Sequence, residues 1–386
     1  MKLTKTHYLL ILALGLAFRT ALFVNLPRTL AVCATDYAPF YAGGKLLGSP
    51  HIYEPAAVFA VLDRAMGCHT AWAVWIKPPF YAVFMWPLAQ LPFYWALWTW
   101  RALGVGALAG FVWLWPGNRL AAAALLAWSS PVAANFTNGQ DVAFLLLFIA
   151  AGYRLIERGS PFAAGLVLGL CAAKFHLFLL LPLLLIQKRA WRTLGGLTVT
   201  GAALTALSFA AGGPHWIPDY ITALRTLGPF YDSGGFNYPN LRCLTHGYSW
   251  AFFLAAAAIL LVAWLLIRSE SLICGLAAVI MSGLLLAPHS TLCDLTLLAP
   301  VAILAVSSGG LARYAGLLLM SPLPSILWGG AGIWTVLMMV LLILVWHAMS
   351  REPAATASCH SGLRPAKSGG YPAMPASPSD IAPAAP

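Results

Sequence analysis

Acidic side chains are scarce in this sequence. Eleven Asp and Glu stand among 386 residues, against 22 Lys and Arg. Carboxylate chemistry therefore falls to one of Asp36, Glu54, Asp63, Asp141, Glu157, Asp219, Asp232, Glu270, Asp294, Glu352 or Asp380. Charged residues of both signs make up only 9% of the chain, against about 25% in soluble domains, which excludes an ordinary soluble protein. No Asp-x-Asp pair occurs, so the metal clamp that soluble sugar transferases close on a nucleotide diphosphate is missing and a nucleotide-sugar donor is not expected. The seven cysteines show no paired ligand spacing, and no metal site is expected. Lys and Arg gather into no basic face, which argues against nucleic acid despite a net charge of +11.

Apolar sequence is abundant, at 61% of the chain. Runs long enough, or nearly so, to cross roughly 30 Å of hydrocarbon recur at 8–26, 93–115, 120–136, 142–156, 193–212, 248–267, 271–287, 291–307, 312–328 and 331–349. The stretch 78–91 is short and bracketed by prolines, as a re-entrant or interfacial segment would be. The stretch 161–187 is too long for one plain helix, carries Lys174 and His176 at its middle, and reads as two short helices. The expectation is an all-α polytopic membrane protein with about twelve spans (roughly ten to thirteen) within residues 1–350. With the amino terminus inside, Arg119, Arg154, Arg158, the cluster Lys188, Arg189 and Arg192, then Arg268, Arg313 and Arg351 all fall on the cytoplasmic side. Lys2 and Lys5 precede a first apolar run long enough to be a retained anchor rather than a cleaved signal. Two segments, 27–77 and 212–247, then lie outside, and one disulfide among Cys33, Cys68 and Cys243 is open there. Residues 351–386 are Pro, Ala and Ser and read as a disordered cytoplasmic tail.

Location shortens the list of acids. Glu157, Glu270, Glu352 and Asp380 sit beside basic cytoplasmic residues or in the tail, and Glu54, Asp63 and Asp219 sit in polar outer stretches, where carboxylates are ordinarily solvated. Asp36, Asp141, Asp232 and Asp294 remain. Asp294 lies inside an apolar run, where an ionisable group is a functional candidate by default. Asp141 precedes a helix and reads first as its N-cap. Asp36 opens the string Asp36-Tyr37-Ala38-Pro39-Phe40-Tyr41-Ala42-Gly43-Gly44-Lys45, a lone acid among rings and glycines. It reads either as a partly desolvated carboxylate that does chemistry or as a turn or helix cap.

That string, continuing through Leu47, Gly48 and Tyr53, resembles the opening of a family of bacterial polyprenyl-phosphate-mannose-dependent mannosyltransferases of the GT-C superfamily. Lys77-Pro78-Pro79-Phe80, Trp86-Pro87-Leu88 and Leu91-Pro92 resemble its double-proline segment. Asn138-Gly139-Gln140 resembles its Gly-Gln motif. Gly165, Gly169, Lys174 and the basic run from Lys188 to Arg192 follow in the family's order, and Ala287-Pro288-His289-Ser290 resembles its late Ser-Pro-His-Ser motif. Two departures stand out: Lys77 replaces an aromatic or small residue, and Thr291-Leu292-Cys293-Asp294 follows where aromatics and histidines are common.

The resemblance implies a GT-C-type helical bundle with an extracytoplasmic site in the cell membrane. It implies an inverting transferase that moves a hexose, with mannose expected, from a polyprenyl phosphate to a lipid or glycan acceptor. No cofactor is implied beyond that donor. Asp36 would be the general base, with His289 in support. Lys174, Arg242 and Lys45 would hold the donor phosphate, with Lys77 and Arg225 as alternatives. Tyr37, Tyr41, Asn138 and Gln140 would contact sugar or acceptor. A transporter or flippase of lipid-linked sugars, and a scaffold without catalysis, are the alternative classes.

Overall fold

The computed structural model describes residues 4–26, 32–33, 35–67, 73–232, 239–245, 248–268, 271–308, 310–323, 332, 335–341 and 343–344, the side chains of 227–232 excepted. Among them all regular structure is helical. Helix α1 (Lys5–Val24) opens on a capping box, in which the Thr4 hydroxyl accepts from the His7 amide and the His7 ring accepts from the Thr4 amide. It buries only Gly15, as a helix bathed in lipid on most sides would.

The segment 27–77, expected outside, holds two helices among its described residues, α2 (Tyr37–Lys45) and α3 (Pro55–Met66). Pro55 starts α3 where no amide hydrogen bond is lost, and Gly67 ends it at a φ of 67°. Both helices are too short for an apolar run to betray them. Next come α4 (Pro79–Ala89), which begins at the double proline and packs on α2, and the long α5 (Phe93–Leu114).

The stretch expected as one span at 120–136 is a bent pair, α6 (Arg119–Trp128) and α7 (Ser130–Asn138), turned by 69°. Pro131 cannot donate into a continuing helix, and the freed groups find other partners. The Ser129 hydroxyl accepts from the Val132 amide, and Arg19 of α1 donates to the Trp128 carbonyl at 2.5 Å. Trp128 in turn donates from its indole to the Ile11 carbonyl at 2.9 Å. The C-terminal end of α7 is held from α5, where buried Arg101 donates to the carbonyls of Phe136 and Thr137 at 3.1 and 2.5 Å.

Helix α8 (Val142–Glu157) runs back beside α5. The stretch 161–187 is interrupted, as its length and charge predict: α9 (Pro161–Gly169) passes into a 3₁₀ segment (Leu170–Leu177), followed by α10 (Leu181–Gln187). The break falls on Lys174, whose φ of −132° and ψ of 56° are not helical. Long α11 (Trp191–Gly212) crosses α9 with backbones nearly touching. A Cβ on Gly165 would strike the Thr193 carbonyl, and one on Gly196 would strike the Phe162 carbonyl.

The segment 212–247, also expected outside, carries α12 (Trp216–Asp232) and α13 (Leu241–Thr245), and α14 (Ser249–Arg268) then packs on α15 (Leu272–Leu286). A 3₁₀ turn (Asp294–Leu298), α16 (Ala299–Ser308) and α17 (Gly310–Leu319) follow, with further helical residues at 335–341 and 343–344. On α15, Gly283 sits against the Leu177 carbonyl, where a Cβ could not fit, and so presses the broken segment of Lys174 into the bundle.

Among the described residues four helices, α1, α5, α11 and α14, are long and apolar enough to cross a membrane, or five spans with the bent pair. The other apolar runs are shorter helices, cut by prolines and 3₁₀ turns, so the expected count of about twelve is not reached by helices of crossing length. Cys33 is disulfide-bonded, whereas Cys243 is buried and in no disulfide. Cys68, much of 324–350 and the 351–386 tail lie outside the described residues.

The α9/α11 crossing yields a stability prediction. Gly196→Val should cost about 1–3 kcal/mol by overpacking, read as a lower melting temperature in detergent. Gly201→Ala, on the same helix with open space around it, should be neutral or stabilising by up to ~1 kcal/mol.

Candidate active site

A tight turn between α7 and α8 builds the centre of the site. Gly139 adopts the left-handed conformation, φ 65°, and its missing Cβ leaves room for Tyr37. Its carbonyl accepts from the Trp100 indole at 2.8 Å. The side chain of buried Asn135 reaches over the turn and accepts from the Val142 amide at 3.2 Å. That contact caps α8. Asp141, which stands at the N-cap position and was expected to do this work, makes no capping bond and is free to turn inward.

There Asp141 meets two lysines. Its Oδ2 accepts from Lys77 at 2.9 Å and from the Tyr81 hydroxyl at 3.0 Å, and its Oδ1 lies 3.3 Å from Lys174. Lys174 donates to Asp294 Oδ1 at 2.5 Å and to Gln140 Oε1 at 3.1 Å. Asp294 is completed by Thr291, whose amide and hydroxyl both donate to Oδ2. Lys77 donates to the Ala173 carbonyl as well, with its ammonium 4.7 Å above the Tyr81 ring and 5.4 Å from the Phe40 ring. Burial alone pushes the Asp141 carboxyl pKa up, but Lys174 and Lys77 outweigh it and hold the group well below the usual carboxylate range.

Asp36 is placed differently. It occupies the N-cap position of α2 without capping it. Its one hydrogen bond among the described residues comes from a neutral amide, Gln140 Nε2, to Oδ2 at 2.9 Å. No cation touches it. Burial raises its pKa above the ordinary carboxylate value; the Gln140 hydrogen bond and the charge of Lys174 pull it back, while Asp294 and Asp141 push it further up. A raised carboxyl pKa is the direction a general base needs.

Asp36, Gln140, Lys77, Lys174, Asp294, His176 and His289 share the wall of one cavity of about 270 Å³, with Phe40, Trp75 and Tyr220 supplying rings. Six separate stretches of chain contribute, from 36 to 294. Of the residues singled out in the sequence, Asp36, Gln140, Lys174 and His289 come together here. Others do not line the cavity. Tyr37 is buried among Tyr41, Phe93 and Trp100, and the Tyr41 hydroxyl donates to the Leu91 carbonyl, so both rings fasten α2 to its neighbours. Asn138 donates to Cys293 Sγ at 3.4 Å. Lys45 is exposed, 5.7 Å from the Tyr41 ring, and Arg242 is exposed on α13. The side chain of Asp232 lies outside the described set.

Sequence reasoning underrated Asp141 and Lys77 and gave no role to His176. The available signal was the departure at Lys77: a lysine in place of an aromatic residue calls for a carboxylate partner, and Asp141 was one of few to choose from.

Helices of membrane-crossing length around a cavity with one unpaired acid suit a transferase acting on lipid-borne substrates, and a comparison with known families agrees. The model of glycosyltransferase family 87 matches residues 75–293, more than half of the 386. The protein is a glycosyltransferase. It belongs to glycosyltransferase family 87. The matched residues include Lys77, Gln140, Asp141, Lys174 and His289, while Asp294 lies one residue beyond the match and Asp36 lies well before its start. No curated protein and no solved structure matches the chain.

Removing Asp141 would leave buried Lys77 with no carboxylate in contact among the described residues and Lys174 with Asp294 alone. Asp141→Leu should therefore destabilise the fold by about 3–5 kcal/mol, seen as lost folded yield and a lower melting temperature. Glu157→Ala, which breaks a solvent-accessible pair with Arg154 at 2.6 Å, should cost no more than about 1 kcal/mol.

Proposed function

We propose that the protein is an inverting, GT-C-type transferase that moves a hexose, mannose by motif resemblance, from a polyprenyl phosphate to a lipid or glycan acceptor on the extracytoplasmic face. The observation that carries this reading is the unequal use of three carboxylates, Asp36 and Asp294 on the cavity wall and Asp141 behind it. Asp141 and Asp294 are neutralised by lysines, and Asp36 alone is left able to take a proton.

The step is a single displacement. The acceptor oxygen attacks the anomeric carbon as Asp36 removes its proton, and the bond from that carbon to the phosphate oxygen breaks on the opposite face. The electron pair leaves with polyprenyl phosphate. Retention through a glycosyl-enzyme would need a second free carboxylate about 5–5.5 Å away as nucleophile, and the two neighbours are bound to ammonium groups.

The departing phosphate needs positive charge or donors. Lys174, the first choice from sequence, faces Gln140, Asp294 and Asp141 with its three N–H directions. Lys77 spends two of its three on Asp141 and Ala173, which leaves one for the substrate. His176 and His289 on the same wall add donors. Phe40, Trp75 and Tyr220 offer apolar faces, as ligand sites commonly do. The family leaves the transporter reading without a supporting observation.

Two outcomes test this reading. Asp36→Asn should lower transfer from labelled polyprenyl-phosphate-mannose by about 10²–10⁴-fold while insertion and melting temperature stay as in the parent; full retained activity would end the proposal. In the parent, the base must be ionised. Transfer should rise with pH through the Asp36 pKa, which lies above the ordinary carboxylate value of about 3.9, and should be lost as pH falls below it.

A further inference from the structure

We infer that Lys174 and Gln140 are positioning residues for the base: the ammonium fixes which way the Gln140 amide points, and the amide fixes which oxygen of Asp36 is left to accept the proton. The inference rests on Asp36 being the base and adds how that base is aimed.

An amide side chain presents a carbonyl on one side and an NH₂ on the other, and the two ends look alike in shape. Chemistry decides between them here. Lys174 Nζ lies 3.1 Å from Gln140 Oε1, and an ammonium can only donate, so the carbonyl end must face it. The NH₂ end is then obliged to face Asp36, where Nε2 donates to Oδ2 at 2.9 Å. Were the amide reversed, NH₂ would confront the ammonium and a carbonyl would confront a carboxylate, two repulsive contacts in place of two attractive ones.

Lys174 is itself held rigidly. It is 6% exposed, pinned between Asp294 and Asp141, and carried on a backbone break that Gly283 packs against. The orientation therefore passes from a buried ion cluster, through one neutral side chain, to the carboxylate at the cavity wall. Oδ2 of Asp36 is occupied, and Oδ1 has no hydrogen bond among the described residues. A proton acceptor with one oxygen tethered and one open presents a single direction of attack to an incoming hydroxyl.

The groups whose charge reaches Asp36 come from every neighbouring element. Lys174 of the 3₁₀ segment and Gln140 of the α7–α8 turn favour its ionised form, whereas Asp141 at the head of α8 and Asp294 oppose it. Cys293 beside Asp294 also feels the charge of Asp36. Removing the Gln140 bond takes away a contribution that favours ionisation, so the acid limb of the rate profile must move to higher pH.

The test is the pH profile of single-turnover transfer from polyprenyl-phosphate-mannose by the full-length protein in detergent, for the parent, Gln140→Leu, Gln140→Glu and Asp36→Asn. Gln140→Glu keeps the size of the side chain and an acceptor for Lys174 but sets a carboxylate against Asp36, so it serves if Gln140→Leu does not fold. The expected result is an acid limb displaced upward by about one pH unit, giving roughly tenfold slower transfer on the acid side and a much smaller loss on the alkaline plateau. The displacement should be larger for Gln140→Glu, with donor KM little changed. A uniform loss at every pH, or a rise in KM alone, would overturn the positioning role while Asp36→Asn remained inactive and the base assignment stood. An active Asp36→Asn would remove both.

Discussion

An ammonium group caught between two carboxylates inside a helical bundle is the constraint on which this structure turns. Lys174 is fully enclosed, and an uncompensated charge there would cost several kcal/mol. It is matched by Asp294 from one side and Asp141 from the other. To supply those partners, the chain must bring the start of α8, the break after α9 and the turn before α16 to a single point. The non-helical backbone at Lys174, the missing side chain at Gly283 and the substitution of Asn135 for Asp141 as the cap of α8 all follow from that requirement.

The same constraint sorts acids by task. A carboxylate in contact with a lysine is poor at accepting a proton, because the ion pair stabilises the ionised form. Two of the three carboxylates at the cavity are spent in this way. The third is kept from any cation and given one neutral donor. The scarcity of acids in the chain thus understates how specialised they are: of eleven, Asp36 and Asp294 line one cavity, Asp141 joins the ion cluster behind its wall, and only Asp36 has no lysine partner among the described residues.

Much of this was legible in the sequence, and the losses have physical causes. The helical membrane class follows from composition, and the interruption of 161–187 from its length and central charge. Asp36, Gln140, Lys174 and His289 were recognisable from their motifs because those motifs preserve local order along the chain. Asp141 was misread because a position before a helix looks the same whether the side chain caps it or turns away, and the residue that does cap, Asn135, lies seven positions from the amide it serves. Lys45 and Arg242 drew notice for charge alone, and charge without burial says nothing about what a side chain faces. The short helices α2 and α3 escaped because neither carries an apolar run long enough to register. The expected count of about twelve crossings is not reached by helices of crossing length among the described residues, because prolines and 3₁₀ turns, which a hydropathy reading does not see, cut the apolar runs.

The ion cluster also bears on how the protein is made. Its members lie at residues 77, 141, 174 and 294, and a chain is synthesised from one end. When Lys174 enters the bilayer, Asp141 and Lys77 are already present as a one-to-one pair, and Asp294 is still to be translated. For more than a hundred residues of elongation the growing bundle carries one positive charge too many for its interior. Only when the turn at Asp294 arrives can the cluster close, and by the same event the wall of the catalytic cavity is completed. Maturation of the fold and acquisition of a competent site are therefore a single late step.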